Sequence, residues 1–392
     1  MATRFLEPMK PKRSVTRRTF LAATGAAASG LVGNSFHDAN AAPAAAPRDD
    51  LPTARKENAP SGPVMKLAEI FGPTESRLWR LVKQCGADHV VGTFSRMGAA
   101  ADSSNEKPWS YNSLARLKKA YEDGGFELAV IESRPPTDKI KLALPGRDEQ
   151  IDDVCELIRN MGKLHIPVWC YEWMPVNNWT RTSSETRGRG GALVTSFDLA
   201  QLKGEPITQY EKVTEDDLWA NLKYFLERVV PVAETARVKL AMHPDDPPLS
   251  PLRGLPRIMR SVENYQRLLD LVPSEVNGIT LCQGNFTFMT PDLPAVIRKF
   301  GKQKKIFFVH FRDVRGTSEN FVETFHDNGQ TDMVACMRAY RDIGFDGVCR
   351  PDHVPTMDGD SNERPGYSTI GRLFALGYIR GLVQSVYSEK TI

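Results

Sequence analysis

From residue 65 onward the chain alternates short apolar runs with longer stretches in which apolar positions recur every three or four residues. The short runs lie at 65–71, 89–94, 126–131, 167–173, 238–243, 278–282, 305–310 and 347–350. Their near-continuous apolar character is that of strands buried on both faces. The helical pattern occupies 75–84, 111–123, 149–161, 215–235, 258–271, 293–300, 332–343 and a final stretch from 369 to 385. Thr214 before Glu215 and Thr331 before Asp332 read as helix starts, because a short polar side chain there can accept an otherwise unpaired backbone N–H. Eight strand–helix alternations predict an α/β protein, and a (β/α)8 TIM barrel more simply than an open sheet.

Two connections exceed ordinary turns. One spans 95–110 and contains Gly98-Ala99-Ala100-Ala101; the other spans 177–213 and contains Arg187-Gly188-Arg189-Gly190-Gly191. Both follow strands, so both fall on the C-terminal face of a barrel, where they are expected to act as lid or substrate loops.

Composition changes this picture little. The 392 residues are 41% hydrophobic and 25% charged, as in a soluble globular protein. The net charge of +3 is misleading, because the first 41 residues hold six Lys/Arg against two Asp/Glu, which leaves the remainder at −1. The folded part therefore has no electrostatic case for a nucleic acid or an anionic membrane as partner. The leader has its own pattern. Arg17-Arg18-Thr19-Phe20-Leu21 precedes a mild Ala/Gly-rich apolar run to Val32, and Ala39-Asn40-Ala41 has the small-x-small form of a cleavage site. This predicts a twin-arginine signal over 1–41, a flexible linker over 42–63 and a catalytic barrel over 64–392. It also predicts an exported, periplasmic or extracytoplasmic protein with the twin-arginine machinery as a partner. No apolar run reaches the ~18–20 residues of a bilayer span. The six cysteines, Cys85, Cys155, Cys170, Cys282, Cys336 and Cys349, show no CxxC spacing and read as small core hydrophobes, Cys282 excepted. A homo-oligomer is compatible with the pattern.

The candidate chemistry lies at the ends of the last four strands. The run Val238-Lys239-Leu240-Ala241-Met242 ends at His243, followed by Pro244, the carboxylates Asp245 and Asp246, and two prolines. The next run ends at Cys282, before Gln283-Gly284-Asn285; the seventh ends at His310; the eighth reaches Arg350-Pro351-Asp352-His353. Neighbouring strands lie about 5 Å apart. Four successive ends thus bring His243, Cys282, His310 and Asp352 toward one small space. Two imidazoles, a thiolate and a carboxylate suit a divalent transition metal. Asp245 and Asp246 are expected to orient a ligand, cap the loop or touch substrate.

These residues also carry a resemblance. His243-Pro244-Asp245-Asp246-Pro247-Pro248 with Gly254-Leu255-Pro256-Arg257-Ile258 is similar to the D-mannonate dehydratase family. So are Asn277–Cys282 with Gly284, and Phe308-Val309-His310-Phe311-Arg312. Arg350-Pro351-Asp352-His353 and the stretch from Pro365 to Arg372 match as well, as do Cys170-Tyr171, Met174-Pro175-Val176 and Trp179-Thr180-Arg181-Thr182. The resemblance runs from about residue 65 to the end of the chain. It implies a xylose-isomerase-like (β/α)8 barrel that converts D-mannonate to 2-keto-3-deoxy-D-gluconate and water with Mn²⁺ or Fe²⁺. It places the metal on His243, Cys282, His310 and Asp352, and proton transfer on His353 and Tyr367. A base must take the C2 proton and an acid must help the C3 hydroxyl leave. Imidazole can serve either role and a phenol can donate. Arg312 is expected to pair with the substrate carboxylate, and Arg181 and Trp179 to close over it.

The chain departs from the family at the rim. Where the family usually has adjacent histidines after the second strand, this chain has Thr93-Phe94-Ser95-Arg96; Val354-Pro355 follows His353 in place of Gly-His; and Glu172 stands where Asn is frequent. The metal set is intact and the substrate-facing surface has changed. A metal-dependent sugar isomerase or epimerase, or an exported carbohydrate-binding protein with a vestigial site, are the alternative readings.

Overall fold

A computed structural model of the protein describes residues 63–94, 106–176, 178–204 and 206–389. Eight parallel strands close into a barrel in chain order. They are Lys66–Ile70, His89–Gly92, Glu127–Ile131, Val168–Glu172, Lys239–His243, Asn277–Cys282, Ile306–Phe311 and Val348–Pro351. All eight coincide with the apolar runs, and the last pairs with the first, Lys66 opposite Val348. The predicted α/β class and the (β/α)8 TIM barrel are therefore what the chain forms. The predicted leader and linker, and most of the 95–110 connection, lie outside the described residues. No helix among the described residues is long and apolar enough to cross a membrane.

The strands are apolar on both faces because both faces are covered. Ala68, Ile70, Val91, Ala129, Val130, Val168, Ala241, Phe307, Phe308 and Val348 pack inside the barrel. A larger layer joins the outer strand faces to the helices. Helix Glu215–Ala236 illustrates the outer ring. Its buried Leu218, Leu222, Phe225, Leu226, Val229 and Ala233 follow the helical period. A reciprocal cap starts it: Thr214 Oγ1 accepts from Asp217 N at 3.1 Å, and Asp217 Oδ2 accepts from Thr214 N at 2.9 Å. Helix Thr369–Ser388 closes the ring, with Ala375, Leu376, Ile379 and Val386 buried.

One feature differs from the sequence expectation. The connection over 177–213 contains two strands, Ser183–Arg187 and Leu193–Asp198. They join Asn320–Glu323 and Val314–Gly316, from the loop after the seventh barrel strand, in a four-stranded antiparallel sheet. Phe197, Leu252, Val314 and Phe321 form a small core beneath it. Two separate loops are thus fused into one cover on the C-terminal face.

Candidate metal centre and proton-transfer site

The fifth to eighth strands deliver their terminal side chains as the apolar runs predict. Cys282 is paired across the sheet with His310, and Arg350 with His310 from the other side. One donor atom each from His243, Cys282 and His310 lie within 4.8 Å of one another. Asp352 reaches two of these residues: its Oδ2 is 3.7 Å from His310 Nδ1 and 3.9 Å from Cys282 Sγ.

The protonation pattern fits a cation. His243 Nδ1 donates to the Pro244 carbonyl at 2.8 Å, which leaves the Nε2 lone pair facing inward. His310 Nε2 lies 3.4 Å from Glu132 Oε2, and its Nδ1 meets His243 Nε2 at 3.2 Å. Burial lowers the basicity of both rings, His243 to about 4, with His310 and Arg350 respectively adding repulsion. Two neutral imidazoles therefore point nitrogen at nitrogen, a contact a divalent ion would relieve. Burial pushes the Cys282 thiol up to about 12, and Asn285 Nδ2 donates to its sulfur at 3.5 Å. A bound divalent ion would displace that thiol proton outright. Nitrogen, sulfur and carboxylate donors in one buried cluster fit such an ion.

Asp352 is the hub between this cluster and the proton-transfer candidates. Arg350 Nη1 donates to its Oδ1 at 2.8 Å. His353 Nε2 lies 3.6 Å and the Tyr367 hydroxyl 3.5 Å from the same oxygen. Burial pushes this carboxyl up, but His353, Arg350, His310 and Arg312 outweigh it and hold it well below the usual carboxylate range. The His353 and Tyr367 rings pack edge to face with centroids 5.7 Å apart, and Trp179 covers His353 from outside at 5.2 Å. His353 holds a left-handed backbone, φ 44°, sparsely populated by residues with a β-carbon. The structure maintains it through a network: Glu323 Oε1 lies 3.0 Å from its Nδ1, and Arg312 and Arg181 approach the same nitrogen.

A cavity of about 280 Å³ opens onto these groups. His243, His310, Asp352, His353, Tyr367, Trp179 and Asp246 line it. Arg312, Arg181, Asp245 and Cys282 lie behind this lining. Arg312 is fully buried and bonded to Asp246 at 3.0 Å and Asn285 at 2.9 Å. It packs where a β-carbon at Gly284 would overlap its side chain. Arg181 clamps Asp246, at 2.6 and 3.2 Å, and also holds Glu323. Asp245 braces its own loop, its Oδ2 accepting from Met259 N at 2.7 Å. Burial raises its carboxyl to about 7.

Several residues of the site escape the sequence reading. Glu132 accepts from the Nη2 and Nε of Arg350, at 2.8 and 3.0 Å, and forms a second donor cluster with Cys170 and His310. Its signal was present: an apolar strand ending in the polar run Glu132-Ser133-Arg134, as at His243. Glu323 and Asn285 had no local signal, because their partners come from distant segments.

Comparisons with known proteins give the family and the fold. A sequence profile for D-mannonate dehydratase (UxuA) matches residues 65–209 and 199–392. A mannonate dehydratase of Thermotoga neapolitana is 37% identical over 336 residues, covering 77% of this chain and 93% of that protein. The crystal structure of mannonate dehydratase from Streptococcus suis serotype 2 superposes with a TM-score of 0.75 at 33% identity, over 83% of this chain and 94% of that one. A xylose isomerase domain protein from Alicyclobacillus acidocaldarius shares the fold, with a TM-score of 0.54 at 12% identity, over 83% of this chain and all, 100%, of that one.

These findings overturn the expectation of an exported, extracytoplasmic protein. The likeness to mannonate dehydratases begins at residue 65 and gives no support to an export signal. The twin-arginine reading rested on a short basic and apolar motif alone, and that motif lies outside both the matched region and the described residues. With the same fold, matched over nearly the full length of its relatives, the chain belongs to the D-mannonate dehydratase family and is a hydro-lyase of sugar acids.

Proposed function

We propose that the chain dehydrates sugar acids of the D-mannonate kind, D-mannonate itself giving 2-keto-3-deoxy-D-gluconate and water. His243, Cys282, His310 and Asp352 would hold Mn²⁺ or Fe²⁺. When bound, the ion supplies Lewis acidity that favours negative charge on the substrate's carboxylate end. The protein's own groups do the rest. Glu323 takes the Nδ1 side of His353 and leaves Nε2 toward Asp352 and the cavity, and the Tyr367 hydroxyl stands beside the same carboxylate oxygen. One of this pair removes the C2 proton and the other protonates the departing C3 hydroxyl. Trp179 limits water at His353 from the open side.

The observation that carries this reading is the meeting of the inward-facing imidazoles with the His353–Tyr367 pair through one carboxylate, Asp352. The test is incubation of the Mn²⁺-loaded protein with D-mannonate in D₂O, followed by NMR. A 2-keto-3-deoxy acid deuterated at C3 is the expected product. An isomer or epimer that keeps every hydroxyl would replace this reading with sugar isomerisation, and no reaction with any hexonate would end it.

A further inference from the structure

The cavity has a second charged wall, opposite the proton-transfer pair. In an eight-stranded barrel the third and fourth strands stand across from the seventh and eighth. Arg134 follows the third strand, and Glu172 ends the fourth; both line the cavity. Arg134 Nη2 is paired with Glu172 Oε1, and its Nε donates to Thr137 Oγ1 at 3.3 Å. Beneath them Lys141, fully buried, donates to Glu172 Oε1 at 2.7 Å and to the Met174 carbonyl at 3.0 Å. Glu172 is thus saturated from below and grips one edge of the Arg134 guanidinium. The segment carrying Arg134 is itself fixed, since Trp169 Nε1 donates to the Ser133 carbonyl at 2.8 Å and Phe94 N donates to Ser133 Oγ at 2.9 Å.

Charge and access distinguish this wall. Two cations, Arg134 and Lys141, meet one buried carboxylate, and the nearby Asp138, 3.9 Å from Lys141, is 55% exposed and screened by water. Of the two guanidiniums on the cavity wall, Arg350 is 1% exposed and consumed by Glu132 and Asp352, whereas Arg134 is 27% exposed. Its Nη1 has no hydrogen bond among the described residues. A pre-aimed guanidinium edge in a half-enclosed cavity is a receptor for an oxyanion. Glu172, the residue that aims it, is also one of the rim departures from the family pattern.

We infer that Arg134 selects sugar acids carrying a second anionic group, carboxylate or phosphate, at the end remote from the reacting carbons. The reacting carboxylate sits at the His243–Asp352 side and the second anion meets Arg134. This rests on the dehydratase reading for the reacting end, but its test does not.

The experiment compares a hexonate, the hexarate of the same configuration and the 6-phosphohexonate with the Mn²⁺-loaded enzyme and its Arg134→Met and Arg134→Lys variants. The wild type is expected to favour one or both dianions over the hexonate at least tenfold in kcat/KM. Arg134→Met should bring that ratio near one, and Arg134→Lys should restore part of it. Gain with the hexarate alone identifies carboxylate, and with the phosphate alone identifies phosphate. A wild type that favours the hexonate, or an Arg134→Met variant that weakens all three equally, overturns the inference. If nothing is dehydrated, the dehydratase reading fails; calorimetric affinities of the same three compounds for the same three proteins then decide this proposal by the same ratios.

Discussion

His310 Nε2 lies 3.4 Å from Glu132 Oε2, on the edge of the ring opposite the Nδ1 that meets His243. A carboxylate behind an imidazole fixes the tautomer and aims the other nitrogen, and losing such a partner typically lowers metal affinity about 10–100-fold. Glu132→Gln is therefore expected to weaken Mn²⁺ binding by that factor in a calorimetric titration. An unchanged Kd would detach Glu132 from the cluster.

Removal of metal gives a second expectation. Dialysis against a chelator should abolish dehydration, and Mn²⁺ or Fe²⁺ should restore it. Cys282→Ala should fail to recover at any practical metal concentration, while its far-UV circular dichroism stays that of the barrel. Full turnover in a protein whose metal content is shown to be nil would refute the role given to this cluster.

Asp246 offers a test of stability. Burial pushes its carboxyl up, but Arg181 and Arg312 outweigh this and hold it well below the ordinary range. Since the folded-state value is lower than the unfolded one of about 3.9, the stabilisation is complete above about pH 4 and is lost as pH falls. Asp246→Asn breaks a buried pair and should cost about 3–5 kcal/mol at pH 7 in urea unfolding. The gap between wild type and variant should narrow as the pH drops below about 4. A gap independent of pH would show that the carboxylate's charge is not what the arginines use.

Tyr367→Phe keeps the ring on His353 and deletes the hydroxyl 3.5 Å from Asp352. Loss of a proton-transfer group predicts a fall in kcat of about 10²–10⁴-fold with metal content unchanged. Retention of wild-type kcat would assign the tyrosine to packing alone.

The barrel was legible because its strands are buried on both faces, so each appears as a bounded apolar run such as 305–310. The ligand candidates were legible for the same reason: His243 and His310 interrupt apolar runs at their C-terminal ends. The covering sheet was not. Ser183–Arg187 reads Ser-Ser-Glu-Thr-Arg, with no apolar alternation, and that edge strand is held by pairing with Leu193–Asp198. Charge roles were also hidden. Arg312 was expected to pair with the substrate carboxylate and Arg181 to close over the substrate; their ion pairs with Asp246 and Glu323, distant in sequence, had no local signal. Asp245 was conspicuous in sequence and proves to brace the backbone at Met259. The leader motif lies outside the described residues.

The covering sheet has an engineering consequence. Asn320–Glu323 pairs directly with Leu193–Asp198, so Arg181 and Glu323 hang from adjoining parts of one framework. A graft that replaces either loop alone, to alter the choice of sugar acid, would leave a raw strand edge and remove a neighbour of His353. Loop exchange between barrels of this kind would therefore succeed only in matched pairs, with the segments after the fourth and seventh strands transplanted together.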